Sequence, residues 1–90
     1  MLYMVIEHFK NRDGKSVYER FREKGRMMPE GLTYLASWTE TNCDRCFQVM
    51  ETDNPELFKQ WTSNWDDLAD FEILPVVTGQ EMATRMLPSS

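Results

Sequence analysis

The sequence predicts an α+β fold in which two helices cover one face of a four-stranded antiparallel sheet. Four short apolar segments have the composition of strands, and two longer segments place apolar residues at helical spacing, in the order βαββαβ. The apolar stripe of the second helical segment matches that of the first almost position by position, so a strand–helix–strand unit occurs twice. Right-handed crossovers then put both helices on one face and give the strand order 4-1-3-2. This is the split βαβ, or ferredoxin-like, arrangement.

The first strand and the first helix follow from local composition. Residues 2–9 are rich in aliphatic and aromatic side chains and predict the strand. Ser16 precedes Glu19 by the spacing of a capping box, which predicts the start of the helix. Pro29 and Gly31 end it, because proline cannot continue a helix and glycine is typical of its end.

The middle of the chain predicts a hairpin and a second helix. Residues 32–41 and 45–52 have strand composition, and the polar residues 42–44 form the loop between them. The run 53–56 (DNPE) combines a capping side chain with a proline in the first turn, which indicates the start of a helix.

The C-terminal part predicts a fourth strand and a short last helix. Residues 71–78 have strand composition, and Pro75 within them cannot donate to a sheet ladder, which places this strand at an edge. Thr78 and Glu81 have capping-box spacing. The helix that they open carries Met82 and Met86 on one side.

Composition limits the classes of function. The chain has 90 residues, 41% of them hydrophobic and 28% charged, which fits one globular domain over 1–90. Its formal net charge of −5 disfavours nucleic acid and anionic membranes, so we expect neither partner. The apolar start at 1–6 is too short for a signal peptide or a membrane span. With only two cysteines, which fit a reducing compartment, we expect a cytoplasmic protein.

Both faces of the predicted sheet are apolar. A sheet with one face in water alternates apolar and polar residues along each strand. The first strand instead carries Leu2, Met4 and Ile6 on one side and Tyr3 and Val5 on the other. Exposing either set would leave a large apolar patch. We therefore expect a homodimer whose two sheets pack face to face as a barrel, with the last helix clasping the partner. The alternative is a monomer whose C-terminal segment folds over the open face.

The length of the hairpin loop assigns side chains to a cavity between the two sheets. If residues 42–44 form the loop, Trp38 lies opposite Gln48, and opposite residues share a face. That face carries both polar and apolar side chains, which favours a cavity, whereas the apolar face with Phe47 and Val49 is expected to pack against the helices. A change of one residue in the loop would reverse this assignment. The predicted ligand-binding residues are Tyr34, Trp38, Cys46, Gln48, Met50 and Glu7.

Glu7 and His8 are the candidate catalytic residues. They are neighbours on the first strand, so one of the two points into the cavity. A buried glutamic acid has a raised pKa and could act as a general acid or base. The simpler interpretation, which we prefer, places both residues at the solvated rim. His8 is the only histidine, and no Ser or Cys lies at a spacing that argues for a catalytic triad.

The run Cys43-Asp44-Arg45-Cys46 has C-x-x-C spacing but lies in a hairpin. A redox pair of this type needs its first sulfur at a helix N-terminus. A zinc site needs further ligands, and the sequence has neither a second cysteine pair nor a second histidine. We therefore expect no metal and no cofactor. RNA-recognition motifs share the βαββαβ order, but their glycines and third-strand aromatic pair are missing here, and the acidic charge also argues against them.

The chain resembles a small, mainly bacterial family known only as a domain of unknown function. The resemblance lies in the runs MVIEHF, YERFREKGRMMPEGL, SW, RCFQVME, W…WDDL and FEILPVV and covers residues 1–80. In fold that family resembles the dimeric α+β barrel group, which includes cofactor-independent monooxygenases, haem-degrading enzymes and muconolactone-type isomerases. No catalytic motif of those enzymes carries over to this sequence, so the resemblance implies a fold and a dimer but no reaction.

Three hypotheses of function follow. The first is a homodimer that binds a small, largely apolar molecule in a cavity at the sheet interface, where apolar walls bury the ligand and Gln48 or Glu7 orients it. The second is an enzyme of the cofactor-independent oxygenase or isomerase kind, with Glu7 or His8 as the base. The third is a structural or interaction module without a ligand.

Overall fold

The computed structural model describes residues 1–87, which form four strands, three α-helices and a short 3-10 helix at Lys10–Arg12. The strands are β1 (Leu2–Phe9), β2 (Thr33–Thr39), β3 (Arg45–Glu51) and β4 (Ala69–Val76), and the helices are α1 (Gly14–Lys24), α2 (Leu57–Thr62) and α3 (Gly79–Met86). The strands form one antiparallel sheet in the order β2-β3-β1-β4. This is the predicted order counted from the other edge, and the predicted α+β, ferredoxin-like class is confirmed.

Helix α1 begins earlier than its capping-box spacing predicts. The carboxylate of Asp13 accepts a hydrogen bond of 3.1 Å from the backbone N–H of Ser16, so Asp13 is the N-cap. The prediction that Ser16 caps the helix is wrong, because aspartate is an equally good cap and stands one turn nearer to β1. The helix ends at Gly25, whose φ of 68° is a left-handed conformation that glycine adopts without strain.

Helix α2 is shorter than its apolar stripe suggests. It ends at Thr62, and the backbone then turns through residues 63–68, where Asn64 and Trp65 bond three residues back rather than four. The Ser63 hydroxyl donates a hydrogen bond of 2.7 Å to the Gln60 carbonyl. Such side-chain bonds compete with regular helix geometry. Trp65 therefore packs on the core from a turn and not from the helix itself.

The C-terminal part agrees with its sequence pattern. Strand β4 lies at an edge of the sheet, as Pro75 predicts. The Thr78 hydroxyl accepts a hydrogen bond of 3.0 Å from the Glu81 N–H, which is the predicted cap of α3. Helix α3 has no buried residue. The radius of gyration is 15.0 Å, larger than the roughly 12 Å of a compact chain of this length. A helix that does not pack into the core, such as α3, increases this radius.

The two faces of the sheet differ in burial. Helices α1 and α2 supply Val17, Phe58 and Trp61 to a core that covers one face. The sheet residues buried on that face alternate along β1 and β3, and they are Val5, Glu7, Phe9, Cys46, Gln48 and Met50. The intervening residues form the other face, which we call the open face. Its members include Met4, Ile6, Trp38, Phe47, Val49 and Leu74.

The hairpin pairs one residue out of the predicted register. The N–H of Glu40 donates to the carbonyl of Arg45 at 2.9 Å, so the loop is one residue longer than predicted. Trp38 therefore pairs with Phe47 and lies on the open face, 62% exposed. The prediction that Trp38 shares a face with Gln48 is wrong, because one additional loop residue turns a strand over. The face that we assigned to a cavity between sheets is the one that the helices cover.

A β-bulge in β2 changes the register a second time. The pairing shifts between Tyr34, which lies opposite Met50, and Ala36, which lies opposite Val49. Leu35 is the extra residue, and it is left exposed. Tyr34 therefore lies on the helix-covered side with Met50, although the loop places Trp38 on the other side.

No helix within residues 1–87 combines the length and apolarity needed to cross a lipid bilayer.

Candidate functional site

Glu7 is a buried carboxyl group on the helix-covered face of the central strand β1. Only 5% of the residue is exposed. The side-chain amide Nε2 of Gln48, on β3, donates a hydrogen bond of 3.1 Å to Glu7 Oε1. Alternation along β1 places Glu7 inside, because its neighbours on that face, Val5 and Phe9, belong to the core. The expectation that Glu7 lies at a solvated rim is wrong.

Burial changes the acidity of Glu7. Burial away from solvent raises the pKa of its carboxyl group from an ordinary value of 4.5 to about 7. The Gln48 hydrogen bond and the positive charge of Arg26 lower the pKa, but by less than burial raises it. At neutral pH the group is therefore divided between its acid and its carboxylate form. Such a group can both donate and accept a proton near physiological pH.

His8 lies on the opposite face of the sheet from Glu7. Its Nε2 is 2.8 Å from Oε1 of Glu72 on β4, and both side chains are partly exposed. The expectation that His8 is solvated agrees with this position. Of the two candidate catalytic residues, Glu7 alone is inside the fold.

A cavity of about 70 Å³ lies between the sheet and the helices beside Glu7. Its polar lining comes from the sheet and from the turn after α1, and its apolar lining comes mainly from aromatic rings. The polar contributors are Glu7, Ser37, Cys46, Gln48 and Arg26, and the aromatic ones are Phe9, Tyr18, Phe21, Trp61 and Trp65. Tyr18 is exposed, so the cavity reaches the protein surface beside it.

Arg26, in the turn after α1, is hydrogen-bonded to both tryptophans of the cavity wall. Its backbone carbonyl accepts hydrogen bonds from the indole Nε1 of Trp61 at 2.9 Å and of Trp65 at 3.1 Å. Its guanidinium carbon lies 3.6 Å from the ring centre of Tyr34 and 4.8 Å from that of Phe21. The side chain is thus held beside the cavity by two aromatic rings.

Cys46 contributes a neutral thiol to the lining. Burial raises the pKa of this thiol above its ordinary value, so it is protonated at neutral pH and is a poor nucleophile. Cys43 and Cys46 are both free thiols. Within residues 1–87 no group of three His, Cys, Asp or Glu side chains is placed to hold a metal ion.

The structure brings together part of the predicted ligand-binding set. Glu7, Cys46 and Gln48 line the cavity. Tyr34 lies at its edge, where its hydroxyl is 2.6 Å from the Ser37 hydroxyl. Met50 is fully buried in the core and does not line the cavity, and Trp38 is on the far side of the sheet. The role of these residues in ligand binding stays a prediction.

Sequence reasoning missed several residues of the cavity. The spacing of Trp61 and Trp65 indicates only that they share one side of the chain, which favours packing in the core and does not indicate a binding site. Arg26 lies near the end of the first predicted helix, and this position favours only a structural ion pair. Nothing in the sequence shows that the turn after α1 reaches the cavity that Glu7 lines, and this places Arg26 near Glu7.

Fold and site together define a small α+β protein with a ferredoxin-like sheet and a buried carboxyl group beside a cavity between the sheet and the helices. A family model described as Domain of unknown function (DUF3303) matches residues 1–89. The chain belongs to this family, which confirms the resemblance to a family of unknown function. No curated protein matches the chain.

Proposed function

We propose that this protein binds a small, largely apolar molecule in the cavity between the sheet and the helices, with Glu7 and Gln48 at the polar end of the site. One observation carries the proposal, namely the buried Glu7–Gln48 pair beside an aromatic-lined cavity. Burying a carboxyl group reduces stability unless it is fully compensated. A few convergent polar groups within an apolar cavity are typical of small-molecule sites, and strongly perturbed acids are more frequent at functional sites than elsewhere.

The size of the cavity limits what enters it. A cavity of about 150 Å³ is known to hold benzene, and the cavity here is about 70 Å³. It therefore accepts roughly three or four non-hydrogen atoms. This is the size of one functional group with a short apolar stem, and a larger ligand would leave its remainder at the surface beside Tyr18. This site differs in place from the one at the sheet interface that the sequence led us to expect.

A second candidate function is catalysis with Glu7 as a general acid or base. The pKa of about 7 favours it, because proton transfer is most effective when the pKa of the group lies near the working pH. The reaction class would be a proton transfer within a small substrate, as in a cofactor-independent isomerase or oxygenase. A binding protein and an enzyme are distinguished by turnover, and a module without a ligand by the failure of any compound to bind.

We also propose that the working form is a homodimer that buries the open face. Trp38 and Leu74 are largely exposed there, and Met4, Ile6 and Val49 surround them. Burying one side chain of this size contributes roughly 1.5–3 kcal/mol, and an apolar patch of this kind is typical of an interface. A second copy offers the same face, as a two-fold contact requires. Met86 and Leu87 are also exposed and would extend the interface.

Tryptophan fluorescence tests the binding proposal. Trp61 and Trp65 line the cavity and Trp38 does not, so Trp38→Phe leaves both reporters beside the site. A panel of compounds with three to eight non-hydrogen atoms is titrated into this variant. We expect at least one compound to quench the fluorescence of this variant in a saturable way. The double variant Trp38→Phe/Gln48→Leu is expected to lose this quenching. The control Trp38→Phe/Gln60→Leu, altered at an exposed glutamine, is expected to keep it. Absence of saturable quenching across the panel contradicts the proposal.

A further inference from the structure

The guanidinium group of Arg26 lies beside the cavity without a partner of opposite charge. Among residues 1–87 the hydrogen bonds of Arg26 are made by its backbone carbonyl, and no carboxylate forms an ion pair with its side chain. Glu7 acts on it at a distance through its charge but does not bond to it. The rings of Tyr34 and Phe21 lie against this group, and such contacts with ring faces use none of its five N–H donors.

The other ionisable groups around the cavity leave this charge uncompensated. On β1 the carboxyl group of Glu7 is partly protonated at neutral pH, and on β3 the thiol of Cys46 is neutral. On α1 the Tyr18 hydroxyl is 2.5 Å from the Thr39 hydroxyl of β2. Arg20 stacks on Trp65, but its charge is paired with Asp67 at 2.7 Å. The lining therefore carries one positive charge whenever Glu7 holds its proton.

We propose that the ligand of this site is a small carboxylate, whose negative group pairs with Arg26 and accepts a hydrogen bond from the protonated carboxyl group of Glu7. This rests on the proposed binding function and specifies the chemical class of its ligand. A planar carboxylate matches the edge of a guanidinium group in a bidentate pair. Its size also fits, because a carboxylate with one further carbon has about four non-hydrogen atoms, which a cavity of about 70 Å³ can take, and any further carbon extends toward the surface beside Tyr18.

Binding of such an anion is coupled to protonation of Glu7. The carboxylate form of Glu7 repels a second carboxylate at short range, whereas the acid form donates a hydrogen bond to it. The protein therefore takes up a proton when the ligand binds at a pH above the Glu7 pKa. Affinity for the anion is constant at low pH and falls above pH 7, approaching roughly tenfold for each further pH unit.

The experiment compares propionate with propionamide, a neutral molecule of nearly the same shape. Each is titrated into ¹⁵N-labelled protein, and the indole N–H signals of Trp61 and Trp65 report occupancy. Arg26→Met removes the charge but keeps the backbone carbonyl that holds both indoles. Arg26→Lys keeps the charge, Glu7→Gln removes the titration of the Glu7 carboxyl group, and Arg22→Met alters an exposed arginine of α1.

We expect propionate to bind at least tenfold more tightly than propionamide at pH 6.5. Arg26→Met is expected to abolish this preference, Arg26→Lys to keep part of it, and Arg22→Met to leave it unchanged. Glu7→Gln is expected to remove the decline in affinity between pH 7 and pH 8.5. Equal binding of amide and acid, or a preference that survives Arg26→Met, overturns the anion site while leaving the binding function intact. Failure of both compounds and of the wider panel overturns both proposals.

Discussion

Gln48 Nε2 donates a hydrogen bond of 3.1 Å to Glu7 Oε1, and this bond joins β3 to β1 inside the core. Both residues are about 95% buried, so the bond is made where few water molecules compete for it. Phe9 and Val17 complete their surroundings on the apolar side of the cavity. The pair therefore links two strands of the sheet and places a carboxyl group and an amide in the lining of the cavity.

The first prediction concerns the dependence of stability on pH. Glu7 has a pKa of about 7 in the folded protein and an ordinary value of 4.5 in the unfolded chain. Between these two values the folded state holds its proton while the unfolded state has lost it, so the free energy of unfolding falls as the pH rises. The stability associated with Glu7 is fully present below pH 4.5, and roughly 3 kcal/mol of it is lost by pH 7.

Glu7→Gln tests this prediction because glutamine does not ionise. Urea denaturation is measured from pH 4.5 to pH 8 for the wild type and the variant. The difference between their unfolding free energies is expected to move in favour of Glu7→Gln by roughly 3 kcal/mol across this range. Glu23→Gln, at an exposed position of α1, serves as the control. A difference that stays constant with pH would mean that Glu7 titrates as in water.

The second prediction concerns the two indoles that share the Arg26 carbonyl. In Trp61→Phe or Trp65→Phe the Arg26 carbonyl still accepts a hydrogen bond from the remaining indole. Each single change is therefore expected to lower the free energy of unfolding by roughly 1–2 kcal/mol, the contribution of one hydrogen bond and some packing. The double variant leaves a carbonyl inside the core region without either indole donor. We therefore expect the double variant to lose about 1 kcal/mol more than the sum of the single losses. Additive losses in a urea-denaturation cycle would argue against a shared acceptor.

The third prediction compares two glycines at the first position of a helix. A Cβ atom on Gly14 would lie 2.6 Å from Cys43 Sγ, whereas a Cβ atom on Gly79 meets nothing within 4 Å. Gly14→Ala is expected to destabilise the protein by roughly 1–3 kcal/mol. Gly79→Ala is expected to be neutral or slightly stabilising, because alanine favours a helix.

The double variant Gly14→Ala/Cys43→Ala checks the cause of the Gly14 effect. Removing the sulfur relieves the closest contact, although the Cys43 carbonyl and a ring carbon of Phe9 remain 3.1 Å from the new Cβ atom. Part of the lost stability is therefore expected to return, relative to Cys43→Ala alone. No recovery would show that the contact with the Cys43 sulfur is not the cause of the loss in Gly14→Ala.

The fourth prediction concerns the open face. Trp38→Glu places a charge within the proposed dimer interface, and because Trp38 is 62% exposed in the single chain, the fold itself should tolerate it. Sedimentation equilibrium is expected to give a dimer for the wild type and a species of 10.7 kDa for the variant. Lys24→Glu, at an exposed position of α1, is expected to stay dimeric. A monomeric wild type at micromolar concentration contradicts the dimer.

The sequence predicted the architecture well because that information is local. Helical spacing, the Thr78 cap and the edge position of Pro75 each depend on a few neighbouring residues, and the structure agrees with them. The assignment of faces depended on the length of one hairpin loop and on the bulge at Leu35, and neither leaves a clear pattern in composition. One additional loop residue moved Trp38 away from Gln48 and out of the predicted site.

The candidate site was predictable only in part for the same reason. Glu7, Cys46 and Gln48 were identified from strand alternation, and all three line the cavity. Arg26 was not identified, since it reaches the cavity through the packing of a turn that is distant in sequence from β1. The burial of Glu7 could not be derived either, because alternation alone does not distinguish Glu7 from His8 until one face of the sheet is covered.

The side-chain amide of Gln48 gives the most direct test of a binding site at this cavity. Gln48 is buried beside the cavity, whereas Gln60 and Gln80 are exposed. In ¹⁵N-labelled protein, titration with the small compounds described above is predicted to shift the Gln48 side-chain N–H signals in a saturable way and to leave those of Gln60 and Gln80 in place. Compounds that shift only open-face residues such as Trp38, or that leave the Gln48 amide unchanged at saturation, would contradict the account.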